Sequence, residues 1–212
     1  MGRRKQPEIR ERLLDACTDA ALASGMPDRL GPFAVAAGTS PRMLQYHFST
    51  KEALQRAVLQ RARTRQRRDF GALLRVRPDE DYRTTLGRAW AGMTGPEGQR
   101  YLAMFGRLRE DAEQQLWPGF RREATTDWLA PLQEGLRTIG RPELATLVLA
   151  VVRGLIVDLD ATGDTERVDA AFAAFITSLA DPLVSSGRPP TSAPLPGRAA
   201  SARSGPVAAG VL

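Results

Sequence analysis

The residues best equipped for chemistry lie in one short stretch, Ser40-Pro41-Arg42-Met43-Leu44-Gln45-Tyr46-His47. Arg42, Gln45 and Tyr46 sit three and four positions apart, so a helix would present them on one outer face. A guanidinium, an amide and a phenol are groups that read base edges or grip phosphates. Ser40 suits a helix N-cap, and Pro41 suits the first helical position, where its missing N–H costs nothing. Upstream, Ala34 stands four residues before Gly38. A helix-turn-helix needs a small residue where its helices cross and a glycine where the turn takes positive φ. Phe33, Ala37 and Leu44 would then pack beneath the pair, with Phe48 in the same core.

The other reactive types are sparse. His47 is the only histidine and Cys17 the only cysteine. A lone histidine builds no metal site, and no acid–nucleophile arrangement surrounds it. We expect it to pack at its helix end or touch a phosphate. Cys17 forms no intramolecular disulfide and reads as a small core residue. With no metal-ligand cluster, Gly-rich phosphate loop or Ser/His/Asp or Cys/His set, the sequence argues against an enzyme and predicts no cofactor.

Charge points the same way. The net charge is +6 and the isoelectric point about 10.3. Residues 1–70 hold 14 Lys/Arg against 7 Asp/Glu, whereas the remainder holds 16 against 17. A localised basic excess suits a polyanion, because phosphate neutralisation supplies most nonspecific affinity. The N-terminus is charged throughout and unlike a signal peptide. The longest apolar stretch, 144–159, is interrupted by Arg153 and Asp158 and is too short to span a bilayer. No membrane partner is expected, and a reducing cytoplasm is the expected compartment.

The elements that would carry these residues are all helical. Helix-period patterns predict helices over 8–23, 32–37, 41–47, 51–74, 81–93, 99–116, 122–138, 142–160 and 166–183, with no strand alternation. The fold class is therefore all-α: an N-terminal three-helix helix-turn-helix DNA-binding domain, then a helical bundle. Boundaries are placed at a basic arm over 1–6, a DNA-binding domain over 7–55, a bundle over 56–184, and a Ser/Pro/Gly/Ala-rich tail over 185–212 expected to be disordered. The run Arg61 to Arg68 reads chiefly as a solvated helix face.

Ala37-Gly38-Thr39-Ser40-Pro41 followed by Leu44-Gln45-Tyr46-His47-Phe48-Ser49-Thr50-Lys51-Glu52-Ala53-Leu54 resembles the signature of TetR/AcrR transcriptional regulators. The resemblance is close over about residues 9–58. It departs at Arg29-Leu30-Gly31-Pro32, where that family usually has a hydroxyl cap, and at Gln45, where a tyrosine is common. It implies DNA contacts from Ser40, Pro41, Arg42, Gln45, Tyr46, His47 and Lys51, with Lys51 on phosphate. It implies an effector pocket in the middle helices, where Trp90, Met93, Tyr101, Met104, Phe105, Trp117, Phe120 and Trp128 cluster. The effector would be small and hydrophobic or aromatic.

The helix over 142–160 is apolar nearly all round, so burial on more than one side is expected. A homodimer interface is assigned to Val148, Val151, Val152, Leu155, Ile156 and Leu159, together with Phe172, Phe175, Ile176 and Leu179 of the last helix. Gly154 would allow close approach at the crossing. The function implied is a ligand-responsive repressor that binds an inverted-repeat DNA operator as a homodimer. The alternative is an activator or architectural DNA-binding protein with no small-molecule effector.

Overall fold

Helix-forming patterns separated by Gly, Pro and capping residues give an all-α chain. The computed structural model describes residues 6–106 and 110–179. Among these there are eleven α-helices and no strand. They are α1 Pro7–Ser24, α2 Leu30–Ala36, α3 Pro41–Phe48, α4 Lys51–Leu73, α5 Tyr82–Thr94, α6 Pro96–Gly106, α7 Glu110–Leu116, α8 Phe120–Thr126, α9 Leu129–Arg137, α10 Ala145–Thr162 and α11 Thr165–Ser178. No described helix is long and apolar enough to cross a membrane. The expected arm (but for Gln6), the end of the last helix and the tail over 185–212 lie outside the described residues.

Two apolar clusters organise the helices. The first joins Leu13, Leu14 and Cys17 of α1, Phe33 and Ala34 of α2, Leu44 and Phe48 of α3, and Leu54, Val58, Leu59 and Ala62 of α4. The second gathers Tyr82, Leu86 and Trp90 of α5, Leu132 and Leu136 of α9, Val148 and Leu149 of α10, and Phe172 of α11. The boundary expected at residue 55 falls inside α4, which continues without a break from the first cluster into the bundle.

Two predicted helices are each split. The pattern over 99–116 becomes α6 and α7, and that over 122–138 becomes α8 and α9 with a corner at Asp127 and Trp128. At this corner Asp127 is engaged by Arg63 rather than facing solvent. Helix α2 starts two residues earlier than the pattern suggests, at Leu30. Its N-cap is Arg29, which makes no side-chain cap, consistent with the absent hydroxyl.

Close approach fixes one glycine. A methyl on Gly135 of α9 would overlap the ring of Tyr82, which is fully buried and whose hydroxyl lies 3.5 Å from the Pro131 carbonyl. Burial pushes the Tyr82 phenol up to about 12, so it remains a neutral donor. Gly135→Ala is therefore expected to destabilise the fold by about 1–3 kcal/mol through overpacking. Gly87→Ala in α5, which meets nothing within 4 Å, is expected to be neutral or stabilising. Urea unfolding of the two variants checks the contrast.

Candidate nucleic-acid interface and interior cavity

The turn between α2 and α3 is built by backbone conformation. Gly38 has φ 59°, in the left-handed region that glycine enters freely. Thr39 N–H donates to the Ala34 carbonyl at 2.9 Å and Gly38 N–H to that of Val35 at 3.1 Å, closing the turn. Ser40 Oγ then accepts from Met43 N–H at 3.3 Å and caps α3, and Thr50 Oγ1 accepts from Ala53 N–H at 3.1 Å and caps α4. These caps satisfy donors that a helix start leaves orphaned. α3 therefore lies on a short helix-turn-helix with its inner face anchored by Leu44 and Phe48.

Its outer face carries the side chains singled out from the sequence. Ser40, Pro41, Arg42, Gln45 and Tyr46 are exposed, and Lys51 is half-buried beside Glu52 at 3.4 Å. His47 departs from that set. It shares the inward face with Leu44, is only 5% exposed, and meets the Tyr46 ring edge-on at 5.1 Å. Its place is among packing residues, because α3 is short and its periodicity turns position 47 inward. Cys17 is fully buried and its thiol donates to the Phe33 carbonyl at 3.8 Å. Burial raises its pKa to about 11, so the thiol stays protonated and inert near neutrality.

The arginine run on α4 is a second departure. Arg61 pairs with Glu11 and with Asp15 at 2.7 Å, and Arg65 pairs with Asp15 at 2.7 Å and with Asp19. Instead of a solvated face, these residues form a ladder of ion pairs against α1. The alternation of Glu11, Asp15 and Asp19 every four residues matches Arg61 and Arg65, also four apart, on the facing helix. Arg63, one step round the helix, points inward and is 6% exposed. It donates to Gln66 Oε1 at 2.5 Å and to Asp127 Oδ2 at 3.0 Å, and lies 5.1 Å from the Trp128 ring centroid. Burial lowers its pKa, partly opposed by Asp127.

Beyond Arg63 the bundle encloses a cavity of about 890 Å³. α4 contributes Arg63, Gln66 and Phe70 to its wall. Of the residues proposed from the sequence, Met93, Phe105, Phe120 and Trp128 line it. Trp90, Tyr101, Met104 and Trp117 do not, because each is occupied elsewhere. Trp90 stacks on Phe172 at 4.6 Å and donates to Asp169 at 2.7 Å. Tyr101 donates to Asp69 at 3.2 Å, Met104 is buried in the first cluster, and Trp117 donates to Glu123 at 3.2 Å. The polar wall residues Arg63, Gln66, Thr125 and Arg153 escaped the sequence reading. One signal was available: Leu59, Ala62, Gln66 and Phe70 recur at helical spacing and mark the face that turns inward.

The interface residues assigned from sequence also divide. Val148, Phe172 and Leu179 are buried within the chain's own second cluster. They are therefore already covered, because α5 and α9 pack on that side. Val151, Val152, Leu155, Ile156, Leu159, Phe175 and Ile176 keep partial exposure. An exposed stripe of α10 holds Leu147, Ala150, Gly154 and Val157, with Leu147 49% and Val157 67% exposed, and Val157 also lines the cavity.

No family model and no curated protein matches the sequence. Solved structures do match the fold. A transcriptional regulator from Rhodococcus sp. RHA1 superposes with a TM-score of 0.62 at 26% identity, covering 80% of this chain and 95% of that one. The multidrug binding protein EbrR, solved with imidazole, gives 0.57 at 23% identity over 84% of this chain and 93% of its own. A TetR-like transcriptional regulator from Rhodococcus sp. RHA1 gives 0.54 at 22% identity, over 84% and 96%. The chain has the fold of the TetR/AcrR regulators.

The Arg63–Asp127 pair generates a prediction. Asp127→Asn leaves a buried guanidinium without its counter-charge, so a loss of about 3–5 kcal/mol is expected. Replacing both by apolar residues, Arg63→Met with Asp127→Leu, should recover most of it. A double-mutant cycle by denaturant unfolding measures the coupling; single variants as stable as the wild type would show the pair contributes nothing.

Proposed function

We propose that this chain is a dimeric, ligand-responsive transcriptional regulator that represses by binding an inverted-repeat operator and is released by a small molecule. The observation that carries the reading is the double membership of α4. Its first half holds the helix-turn-helix through Leu54, Val58 and Leu59, and its second half walls the cavity through Arg63, Gln66 and Phe70. A ligand that favours one seating of Phe70 and Arg63 biases the position of α4, and the ion-pair ladder passes that bias to α1. Release then requires only that the ligand bind the two seatings with different affinity. EbrR, of the same fold, has been solved with imidazole and with proflavin, which supports a ligand role for the cavity.

On DNA, α3 enters the major groove with Arg42, Gln45 and Tyr46 forward, and Ser40, Pro41 and Lys51 lie at the phosphate backbone or groove edge. In the dimer, α10 and α11 of each copy pack as four helices. The exposed stripe of Leu147, Ala150, Gly154 and Val157 supports this, because apolar and small residues at that spacing suit a close helix crossing.

Footprinting is expected to show two half-sites whose centres are about 34–36 Å apart, or a multiple of it. Arg42→Ala should relax base preference and cost about 1–3 kcal/mol. Lys51→Ala should weaken all sequences alike and lower the salt slope by about one. An unchanged preferred sequence in Arg42→Ala would remove its base-reading role.

The dimer is tested by Leu147→Glu. Leu147 is exposed in the single chain, so the charge leaves the fold intact. The wild type should sediment as a dimer and the variant as a monomer that loses operator affinity. A wild-type monomer at micromolar concentration refutes the interface.

A further inference from the structure

The cavity wall is apolar over most of its area but unequal in charge. Arg63, Arg121 and Arg153 reach it, and among the described residues no aspartate or glutamate lines it. The three arginines differ in what neutralises them. Arg63 has Asp127 at 3.0 Å, and Arg121 has Glu113 at 2.6 Å. Arg153 of α10 has a hydroxyl and a carbonyl only. Its Nη1 donates to Thr125 Oγ1 at 2.8 Å and its Nη2 to the Ala124 carbonyl at 3.3 Å. Among the described residues no carboxylate stands within 4 Å of it.

We infer that the cavity takes an amphipathic carboxylate, its apolar body among Phe70, Leu86, Phe105, Trp128 and Leu149 and its head on Arg153. This deepens the effector reading above and rests on it. Three arguments support the head group. A guanidinium has five N–H donors, and the two bonds to Thr125 and Ala124 leave donors free in a planar fork that matches a carboxylate. Arg153 is exposed to solvent at the rim, so a charged head binds there without losing all its water. Arg153 also disfavours the charge on Arg63, whose pKa it helps to lower, and an anion between them relieves that repulsion. The body follows from the remaining wall, which offers aromatic and aliphatic surface to an occupant of drug-like size. A cationic ligand of the same shape meets repulsion and finds no carboxylate among the described lining residues.

The test uses the full chain and three probes of one chain length: decanoate, decanol and decyltrimethylammonium. Binding is followed by calorimetry and by tryptophan fluorescence, since Trp128 lies on the wall. Decanoate is expected to bind at least about tenfold more tightly than either of the others. In Arg153→Gln, which keeps an amide donor and removes the charge, decanoate should fall to the level of decanol while decanol itself is unchanged. Arg153→Lys should retain part of the preference. Circular dichroism and thermal unfolding establish that both variants fold, as expected for a rim residue with no ion pair. Decanol or the ammonium binding as tightly as decanoate, or a preference that survives Arg153→Gln, overturns the charge inference and leaves the effector reading standing. Failure of all three probes to bind overturns both.

Discussion

The arrangement turns on one costly placement, a guanidinium buried in the middle of the longest helix. Arg63 is 6% exposed, and a charge in that position must be paired or it destabilises the fold by several kcal/mol. Asp127 supplies the counter-charge from the α8–α9 corner, 64 positions away in sequence. Gln66 fills a further donor, and the rings of Phe120 and Trp128 lie within 6 Å of the guanidinium carbon. The pair therefore ties α4 to the bundle at the point where α4 leaves the first apolar cluster. Dispersion alone would let α4 slide along that boundary; a hydrogen-bonded ion pair fixes its register.

On the other side, α4 is tied to α1 by a different kind of contact. The ladder of Arg61 and Arg65 against Glu11, Asp15 and Asp19 is partly exposed. Isolated surface pairs contribute little, but here shared carboxylates join five residues into a network over well-packed apolar positions. Asp15 receives both arginines. The ladder also removes two of the basic residues from any account of free surface charge. The positive character of the N-terminal third then rests less on the Arg61–Arg68 run than the composition suggests, and more on residues such as Arg42.

Local signals were legible in the sequence, and they are the ones that local chemistry decides. Ser40, Thr50 and Gly38 each act through backbone groups within a few residues, so caps and turn could be placed from spacing alone. The inward face of α3 was legible through Leu44 and Phe48, and His47, for which packing and phosphate contact were both open, lies on that face. The split at Asp127 was not legible, because what draws that residue inward is Arg63 on a distant helix. The cavity shows the same limit. Aromatic content located the right helices, but whether a ring lines a cavity or fills a core depends on partners: Trp128 meets space, while Trp90 meets Phe172 and Asp169.

The apolar girth of α10 has a resolution in two directions. Val148, Leu149, Val152 and Ile156 face the second cluster and the cavity, and one chain's helices cover them. Leu147 faces away and is left exposed, and Val157, which also lines the cavity, is exposed as well. A helix needs an apolar stripe only on the side that is covered, so the outer stripe is unexplained within a single chain. If a second copy covers it, α10 becomes the wall shared by cavity and interface, with Arg153 at its edge. Seating of a ligand against Val152 and Ile156 then acts on α10 from within while the partner acts from outside. α4 and α10, which both line the cavity, would be the two elements through which occupancy reaches the N-terminal helices of both copies.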